Sequence, residues 1–259
     1  MLTEERYRAI LEQLGRQETV RVSELSARFG VSIETIRRDL TYLEEQNLLR
    51  RIHGGAVRTG APAEMTGREE RRATHWEEKL ELGETACQLV QEGQVVTMDA
   101  STTNLAAAMA MKKRFHSLTV ITNCLPVINE LATAPGFTLL IPGGVFRPAE
   151  QSIVGALAEE NMDAFHADVG FISMSGVSLS GGLTDFGMEE ISIKKKIMKN
   201  TAVNYVLADS SKFERISMVR IGALQDVDGI VTDSRLPASI EDAYRKKGIA
   251  IYHKECICK

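Results

Sequence analysis

The sequence lacks several features that would place it in a specialised class of protein. Its apolar runs all fall well short of the roughly 20 residues that a helix needs to span a bilayer. The amino terminus, MLTEERYRAI, has no basic region followed by an apolar segment, so it does not resemble a signal peptide. With 259 residues, 44% hydrophobic and 25% charged, the composition is that of a globular protein with one large domain or two smaller ones. We therefore expect a cytoplasmic protein that has no membrane partner.

Cysteine is scarce. The four cysteines, Cys87, Cys124, Cys256 and Cys258, are too few and too scattered for a disulfide scaffold in a chain of this length. The tail HKECICK places His253 close to two of them, and a metal site is one interpretation of that spacing. A structural zinc site needs four ligands, however, and no further pair lies nearby. Ordinary reduced thiols are favoured, and the sequence predicts no metal and no other cofactor.

No lysine precedes Lys79, and every earlier basic side chain other than histidine is an arginine. Six arginines lie between Arg28 and Arg58. The formal net charge of −4 excludes a protein coated in positive charge but leaves room for a local patch. Because a guanidinium group can bridge two acceptors on guanine or phosphate, whereas lysine acts as a point charge, this concentration indicates a local anion-binding surface.

The patterning divides the chain into two parts. TGAPAEMTG, residues 59–67, is rich in small and turn-forming residues, which is typical of a linker. Beyond Gly93, short apolar runs such as VVTM, LTVIT and VNYVLA alternate with helix-like stretches such as NLAAAMAMKKR. Such alternation predicts a mainly parallel sheet with helices on both faces. We predict a small helical domain at 1–58, a linker at 59–74 and an α/β domain at 75–259.

The segment VSELSARFGVSIETIRRDL has the pattern of two helices joined at a glycine. Gly30 permits the left-handed conformation that a tight corner needs, and Ser32 is placed to cap the second helix. At 100° per residue, Arg38 points away from the predicted inner face of this second helix, which consists of Ile33, Ile36, Leu40 and Leu43. This pattern is typical of a helix-turn-helix, although a plain helical hairpin with solvated charges would share it.

The stretch that follows, NLLRRIHGGAVRT, has the form of a strand, a Gly-Gly turn and a second strand. A basic hairpin after a recognition helix can hold the sugar-phosphate backbone, where half or more of protein–DNA hydrogen bonds usually go. The two patterns together therefore predict a winged helix-turn-helix.

The same residues resemble the signature of the DeoR family of bacterial transcription regulators. The matching pieces are V-S-x-x-T-I-R-R-D-L (Val31 to Leu40), L-x-x-x-x-L-L-x-R (Leu43 to Arg51) and H-G-G-A (His53 to Ala56). The resemblance implies that four residues of the first piece touch DNA, whereas Asp39 is expected to hold an arginine in place. Together with the exposed helix face and the hairpin, it gives a predicted DNA-contacting set of Ser32, Thr35, Arg37, Arg38, Tyr42, Arg50, Arg51 and His53.

In the second part, MDASTTN closes a predicted strand and opens a predicted helix. Amides at a helix start and adjacent hydroxyls form a ready anion site, although any helix start favours such capping residues. The turns ITNC, IPGGVFRP, SMSGV and ADSSKF also follow predicted strands, and ligands of open α/β sheets bind at the carboxyl ends of strands. Each turn has an ordinary structural explanation, but their shared location favours one pocket.

The resemblance to the DeoR family extends to these turns, to G-L-T-D (Gly182 to Asp185) and to L-A-D-x-S-K-F (Leu207 to Phe213). It implies a Rossmann-like effector domain, similar in fold to ribose-phosphate isomerase, that binds a phosphorylated sugar. Ser101 departs from the glycine that many members have there. The effector-binding set carried over by position is Asp99, Ser101, Thr102, Thr103, Asn123, Gly143, Gly144, Arg147, Asp209 and Lys212.

The combined prediction is a transcriptional regulator, most often a repressor, that binds an operator in double-stranded DNA as a homo-oligomer, a dimer or a tetramer. A phosphorylated sugar would relieve repression. One alternative is a sugar-phosphate isomerase-like enzyme that carries a DNA-binding module. FISMSGVSLSGG lacks the acidic residues of the related isomerases, so proton transfer has no evident base, and Asp209 with Lys212 is the only obvious acid–base pair. A constitutive DNA-binding protein with a degenerate pocket is a third possibility.

Overall fold

The computed structural model describes residues 3–17, 19–45, 48–52, 54–58 and 68–254. The chain divides into two compact units, Met1–Thr74 and His75–Lys259. Of the predicted linker at 59–74, residues up to 67 lie outside the described part of the chain, and Arg68–Ala73 form a helix. Within the described residues, no helix combines the length and the apolar character that crossing a membrane requires.

The first unit contains four described helices and a small antiparallel sheet. Its elements are α1 (Thr3–Gln17), β1 (Thr19–Arg21), α2 (Val22–Phe29), α3 (Ile33–Glu45), β2 (Leu49–Ile52), β3 (Gly55–Arg58) and α4 (Arg68–Ala73). The sheet has the strand order β1-β3-β2, so the hairpin of β2 and β3 is held to the helices through β1. The helix-turn-helix and the wing are both present, as the sequence predicts.

The core of the first unit confirms most of the predicted inner face of α3. Ile36, Leu40 and Leu43 are buried against α1 and α2 in one hydrophobic cluster. Ile33 is a correction, because 49% of it is exposed although it was predicted to face inward. It occupies the first residue of α3, so its angular position is right but the apolar cluster does not extend over it.

The second unit contains the larger sheet. Its elements are α5 (Trp76–Ala86), β4 (Val95–Met98), α6 (Thr102–Arg114), β5 (Leu118–Thr122), α7 (Leu125–Leu131), β6 (Phe137–Leu140), β7 (Val145–Arg147), β8 (Ser152–Val154), α8 (Ala156–Asp163), β9 (Ala167–Ser173), β10 (Gly176–Ser178), β11 (Gly182–Asp185), α9 (Met188–Asn200), β12 (Thr201–Leu207), β13 (Val219–Gly222), β14 (Gly229–Val231), α10 (Ala238–Arg245) and β15 (Ile251–Tyr252).

Seven of these strands form one parallel sheet in the order β15-β14-β12-β9-β4-β5-β6. Neighbouring residues of one strand, such as Phe171 and Ile172, belong to different core clusters, because successive side chains of a strand point to opposite faces. The cluster on one face includes side chains of α8, α9 and α10, and the other includes side chains of α5, α6 and α7. The predicted fold class is confirmed: the sheet is parallel and covered on both faces.

Two smaller β elements join this core. β10, β11 and β13 form an antiparallel three-stranded sheet, and β7 pairs with β8 as a hairpin. Cys87 and Cys124 are buried, whereas Cys256 and Cys258 lie outside the described residues.

Candidate functional site

The corner between α2 and α3 is fixed by local hydrogen bonds. Gly30 has a φ of +64°, in the left-handed region that a residue without a side chain adopts at low cost, and its N–H donates to the carbonyl of Ser26. The Ser26 hydroxyl donates to the carbonyl of Val31 at 2.6 Å. The Thr35 N–H donates to the Ser32 hydroxyl at 3.1 Å, so Ser32 occupies the capping position that the sequence predicts.

Two predicted arginines lie exposed on α3. The side chain of Arg38 is 81% exposed and that of Arg37 is 61% exposed. Glu34 lies 3.9 Å from the Arg38 guanidinium and 3.8 Å from that of Arg37, and pairs this exposed contribute little to stability. Tyr42 is 46% exposed, but its ring stacks on Tyr7 with 4.8 Å between centroids. The arginines are therefore accessible, while the Tyr42 ring is already packed against α1.

The wing is tied to α3 through Arg51. Its Nη1 donates to the Thr41 hydroxyl at 2.6 Å, and its backbone N–H donates to Glu44 at 2.7 Å. Arg51 is exposed and Arg50 is half-buried. A cleft of about 400 Å³ is lined by Arg37 from the helix and by Arg51, Gly54 and Gly55 from the wing. Cationic groups from two elements thus share one concavity, and His53 lies outside the described residues.

Asp39 faces the opposite side of α3. It is only 4% exposed and accepts two hydrogen bonds from Arg6 of α1, at 2.8 Å from Nε and 2.9 Å from Nη2. This hydrogen bonding to Asp39 raises the pKa of the Arg6 guanidinium. Asp39 therefore holds an arginine, as expected. The sequence offered no signal that the arginine would come from α1.

In the second unit, the predicted residues after β4 lie at the amino-terminal end of α6. Ser101 caps the helix, accepting a hydrogen bond from the Asn104 N–H at 2.9 Å. Thr102 and Thr103 begin the helix and are each 8% exposed. The positive end of the helix dipole and the first-turn amides lie here, beside the carboxyl edge of the sheet. This is an arrangement suited to an anionic group.

Asp99 is 1% exposed, and its carboxylate is fully engaged. It accepts hydrogen bonds from the side chains of Asn104 and Lys194, from the Ser173 N–H at 3.2 Å and from the Ser173 hydroxyl at 2.9 Å. A carboxylate offers about four acceptor positions, so these donors use all of them. In this structure Asp99 joins β4, α6, β9 and α9 to one another.

Lys194 of α9 is a site residue that the sequence analysis missed. It is 3% exposed and donates to Asp99, to Asp185 at 3.0 Å and to the Ser173 carbonyl at 2.7 Å. Burial would lower the pKa of Lys194, but the two carboxylates outweigh burial and raise it. Burial would likewise raise the pKa of Asp185, and Lys194 lowers it instead.

Asp99, Asp185 and Lys194 thus form a buried ionic cluster, and Asp209 with Lys212 is not the only acid–base pair at the sheet edge. Asp185 also accepts a hydrogen bond from the Ser175 hydroxyl at 2.6 Å, so a carboxylate does reach the loop that the sequence described as free of acid. Helical spacing could have revealed Lys194, because it lies on the inner face of α9 between the buried Ile191 and Ile197. Lys194 was overlooked because a run of three lysines is usually a solvent-exposed stretch.

Asn123 follows β5, the neighbour of β4, and connects the sheet to the hairpin of β7 and β8. Its side-chain Nδ2 donates to the Ile153 carbonyl at 2.9 Å, and its backbone carbonyl accepts from the Ile153 N–H at 2.9 Å. Its Oδ1 is buried and has no hydrogen-bond partner within the described part of the chain. Such an orphaned acceptor is unusual in a folded protein. Gly143 and Gly144 precede this hairpin and Arg147 ends its first strand, and all three are exposed.

Asp209 follows β12 and caps a short 3-10 turn. It is 1% exposed and accepts hydrogen bonds from the N–H (3.1 Å) and the hydroxyl of Ser211. The next residue, Ser210, donates its N–H to Asp233 at 2.6 Å. Asp233 follows β14, is fully buried and was not predicted. Lys212 ends the same turn and is half-buried.

The strand order decides which predicted residues can meet. Adjacent strands lie about 4.8 Å apart, so the ends of β12 and β6, four spacings apart, are separated by about 19 Å. That span exceeds one sugar phosphate. Asp99, the start of α6 and Asn123 lie together on the adjacent strands β4 and β5, whereas Asp209 lies to one side and Gly143 to the other.

Comparison with known proteins matches both units. A sequence model described as the DeoR-like helix-turn-helix domain matches residues 6–60, and one described as the DeoR C terminal sensor domain matches residues 74–234. The chain is 36% identical over 248 residues to the uncharacterized HTH-type transcriptional regulator YulB of Bacillus subtilis, with 95% of each chain covered.

Two further relatives carry functional names. The glycerol-3-phosphate regulon repressor of Escherichia coli K12 is 34% identical, covering 91% of this chain and 93% of that one. The putative aga operon transcriptional repressor of Escherichia coli O157:H7 is 33% identical, covering 96% and 93%. Among solved structures, ribose 5-phosphate isomerase A of Methanocaldococcus jannaschii aligns with 54% of this chain and 55% of its own, at 16% identity and a TM-score of 0.41.

Proposed function

The chain belongs to the DeoR family of transcriptional regulators, and from that premise we propose that it represses genes of sugar metabolism until a phosphorylated sugar releases it from its operator. The observation that carries the proposal is the cleft between α3 and the wing, where Arg37 and Arg51 face one concavity with Arg38 exposed beside it. Guanidinium groups suit the phosphates and base edges of duplex DNA. The relatives named as repressors support the direction of control.

The proposed effector site is the start of α6. Ser101, Thr102 and Thr103 offer hydroxyls beside first-turn amides, which suits a phosphate group. Asn123 on the adjacent strand has a buried acceptor that a sugar hydroxyl would satisfy. Asp99 is proposed as a residue that positions this site, because its carboxylate is committed to internal donors.

Operator recognition requires more than one copy of the chain. Helix-turn-helix proteins read two half-sites that lie about one DNA turn, roughly 34 Å, apart. We therefore propose a cytoplasmic homo-oligomer, a dimer or a tetramer, in which two copies present α3 to successive major grooves. To move the protein from mostly bound to mostly free, the effector must favour the low-affinity arrangement by up to about 5.5 kcal/mol.

The first test is a melting screen of the purified chain. The panel contains glucose 6-phosphate, fructose 1-phosphate, ribose 5-phosphate and glycerol 3-phosphate, each beside its unphosphorylated counterpart. A true effector at 100 times its dissociation constant adds about 2.7 kcal/mol to the free energy of unfolding. Thr102→Val, at the proposed phosphate site, is expected to weaken the shift, whereas Thr133→Val, on an exposed turn, should leave it intact. No shift from any phosphorylated compound would contradict the sensing role.

The rival interpretation is an isomerase-like enzyme. The relatives are transcriptional regulators along nearly the whole chain, which does not favour it. The acid–base cluster of Asp99, Asp185 and Lys194 is also engaged in its own ion pairs rather than open to a substrate. Incubating the protein with the same panel tests this point directly, because conversion of any sugar phosphate would contradict a purely regulatory role.

A further inference from the structure

α5 occupies a special place in the chain. It is the first helix of the second unit and begins two residues after the first unit ends at Thr74. Any displacement that passes along the chain from the sensor to the DNA-binding unit must therefore pass through the amino-terminal end of α5. Two sets of contacts connect this helix with the carboxyl edge of the sheet.

The first set joins α5 to α6. Leu82 and Ala86 are fully buried in the same cluster as Ala107 of α6. A Cβ placed on Gly83 would lie 3.0 Å from the Ala106 carbonyl carbon and oxygen and from the Ala107 nitrogen. The two backbones are therefore in close contact, since only a residue without a side chain leaves that space. Because α6 begins at the proposed phosphate site, a shift of α6 along its axis would carry α5 with it.

The second set joins α5 to the turn after β14. Glu81 accepts hydrogen bonds from the Ser234 N–H at 2.8 Å and from the Ser234 hydroxyl at 3.1 Å. Glu78, one turn earlier, forms an ion pair with Arg235. Burial would raise the pKa of Glu78, but its hydrogen bonds and the nearby cations lower it, so its ionised form is the favoured one.

The same turn reaches back to the sheet edge through Asp233. This buried carboxylate accepts the Ser210 N–H at 2.6 Å and the Arg235 N–H at 3.0 Å. Ser210 follows Asp209, which the sequence assigned to the effector site and which lies two strand spacings, about 10 Å, from the end of β4 along the same edge of the sheet. The end of β12 is therefore connected to Glu81 on α5 by the hydrogen bond from Ser210 to Asp233, the peptide bond from Asp233 to Ser234 and the hydrogen bonds from Ser234 to Glu81.

We propose that ligand binding at the carboxyl edge of the sheet displaces α5 and thereby changes the DNA affinity of the first unit. The hydrogen bonds between Glu81 and Ser234 hold α5 in the position from which it responds to the ligand. This inference rests on the proposed function. The hydrogen bonds between Glu81 and Ser234 suit such a role because Glu81 is half-buried and Ser234 is exposed. They can therefore break without opening the core.

The test uses the full-length chain and the member of the phosphorylated panel that gives the largest melting shift. The DNA probe is a duplex selected by the wild-type protein from random-sequence DNA. Titration calorimetry measures affinity for the sugar phosphate. Fluorescence anisotropy measures affinity for the duplex with and without that compound, and the ratio of the two affinities gives the coupling factor.

The variants are Glu81→Ala, Ser234→Ala and the double variant, with Glu84→Ala as a matched loss of charge from an exposed position of the same helix. We expect Glu81→Ala to bind the sugar phosphate within about 3-fold of wild type while its coupling factor falls at least about 5-fold, from a usual range of about 5 to 150. Ser234→Ala should cause a smaller loss, because its backbone N–H still donates. It should add nothing in the Glu81→Ala background, and Glu84→Ala should couple like wild type.

The outcomes distinguish failure of the proposed role of α5 from failure of the proposed sensing function. An unchanged coupling factor in Glu81→Ala would overturn the proposed role of α5 but not the sensing function. Additive losses in the double variant would also overturn it, because Glu81 and Ser234 would then not act through the same hydrogen bonds. If no phosphorylated compound changes the DNA affinity of the wild-type protein, both the proposed sensing function and the proposed role of α5 are wrong. If Glu81→Ala fails to fold, the loss in Ser234→Ala alone decides the matter.

Discussion

Arg38 and Asp39 are neighbours in sequence whose side chains have different environments on α3. Arg38 is exposed, while Asp39 is buried and binds Arg6. The 100° rotation per residue explains the contrast, since one residue moves a side chain from the outer face toward the edge of the inner one. One of the two is therefore available to a partner, and the other holds α1 against α3.

Replacing Arg38 with alanine should weaken binding to the selected duplex without unfolding the protein. If Arg38 contacts a base, we expect a loss of about 1–3 kcal/mol and a relaxed preference at that base pair. Arg8→Ala is the matched control, because Arg8 is an exposed arginine on α1 rather than on α3. Competition binding against randomised duplexes provides the measurement. An equal loss on random DNA would show that Arg38 contacts only the backbone.

The buried cluster around Lys194 gives a prediction about pH. The raised pKa of Lys194 stabilises the fold at pH values below the ordinary lysine pKa, about 10.4, and that contribution is lost as the pH rises through the raised value. The lowered pKa of Asp185 stabilises the fold above the ordinary aspartate pKa, about 3.9, and that contribution is lost as the pH falls. Between pH 5 and 7 the wild-type cluster should therefore contribute constantly.

Lys194→Met removes the cation and leaves buried carboxylates. We expect a loss of about 3–5 kcal/mol at pH 7. Because Asp185 then keeps its burial without its cation, its pKa should rise above the unfolded value, so the loss should shrink as the pH is lowered to 5. Lys195→Met, at the exposed neighbouring position, controls for loss of a lysine. Urea denaturation at both pH values is the measurement, and the same loss at pH 5 and pH 7 would contradict this view of the cluster.

At the scale of elements, the sequence predicted what depends on local periodicity. The helix-turn-helix, the wing and the alternation of strands with helices all follow from patterns within short windows. Ile33 marks the limit of such reasoning. Its angle places it on the inner face of α3, but burial also requires another element above it, and periodicity contains no information about that.

The missed site residues have a different cause. Asp233 meets Ser210 across 23 residues of sequence, and Lys194 meets Asp99 across 95. These contacts depend on which strands are neighbours in the sheet and on how α9 packs against it. Neither can be inferred from spacing along the chain. The sequence therefore predicted that these turns follow strands of one sheet, but not which side chains at that edge are already bonded to one another.

Two glycines give matched tests of the two units. A Cβ on Gly55 would lie 2.0 Å from the Val20 carbonyl oxygen, where β3 pairs with β1. A Cβ on Gly136 would lie 1.9 Å from the His116 carbonyl oxygen in the second unit. Neither backbone position can accept a methyl group without a shift, and such overpacking costs about 1–3 kcal/mol or more.

We expect Gly55→Ala to displace the wing and reduce DNA affinity while leaving the melting shift from the sugar phosphate intact. Gly136→Ala should instead destabilise the second unit. The proposed DNA contacts of the first unit should be unaffected in this variant. Circular dichroism melting, anisotropy with the duplex and the melting screen together measure these effects. Equal loss of DNA affinity in both variants would contradict the assignment of DNA binding to the first unit.

At the scale of the whole molecule, charge is distributed unevenly. The chain carries 35 acidic and 31 basic side chains and has a net charge of −4, yet the arginines proposed to contact DNA all lie in the first unit. An acidic remainder repels the DNA backbone, so attraction is confined to the face that can recognise a sequence. Confining the attraction for DNA to one unit leaves the other unit free for a different ligand.

We propose that the arginines of α3 and the wing bind the DNA backbone and that a phosphorylated sugar controls this binding. A salt titration tests both points: the affinity for the selected duplex is measured from about 50 to 200 mM salt, with and without the panel compound that shifts melting. We expect the affinity to fall about 10³- to 10⁵-fold over this range if two copies make 6–10 phosphate contacts, and the sugar phosphate to lower it further at each salt concentration. Affinity that is absent, or indifferent to salt, for every duplex tested would rule out this mode of DNA binding.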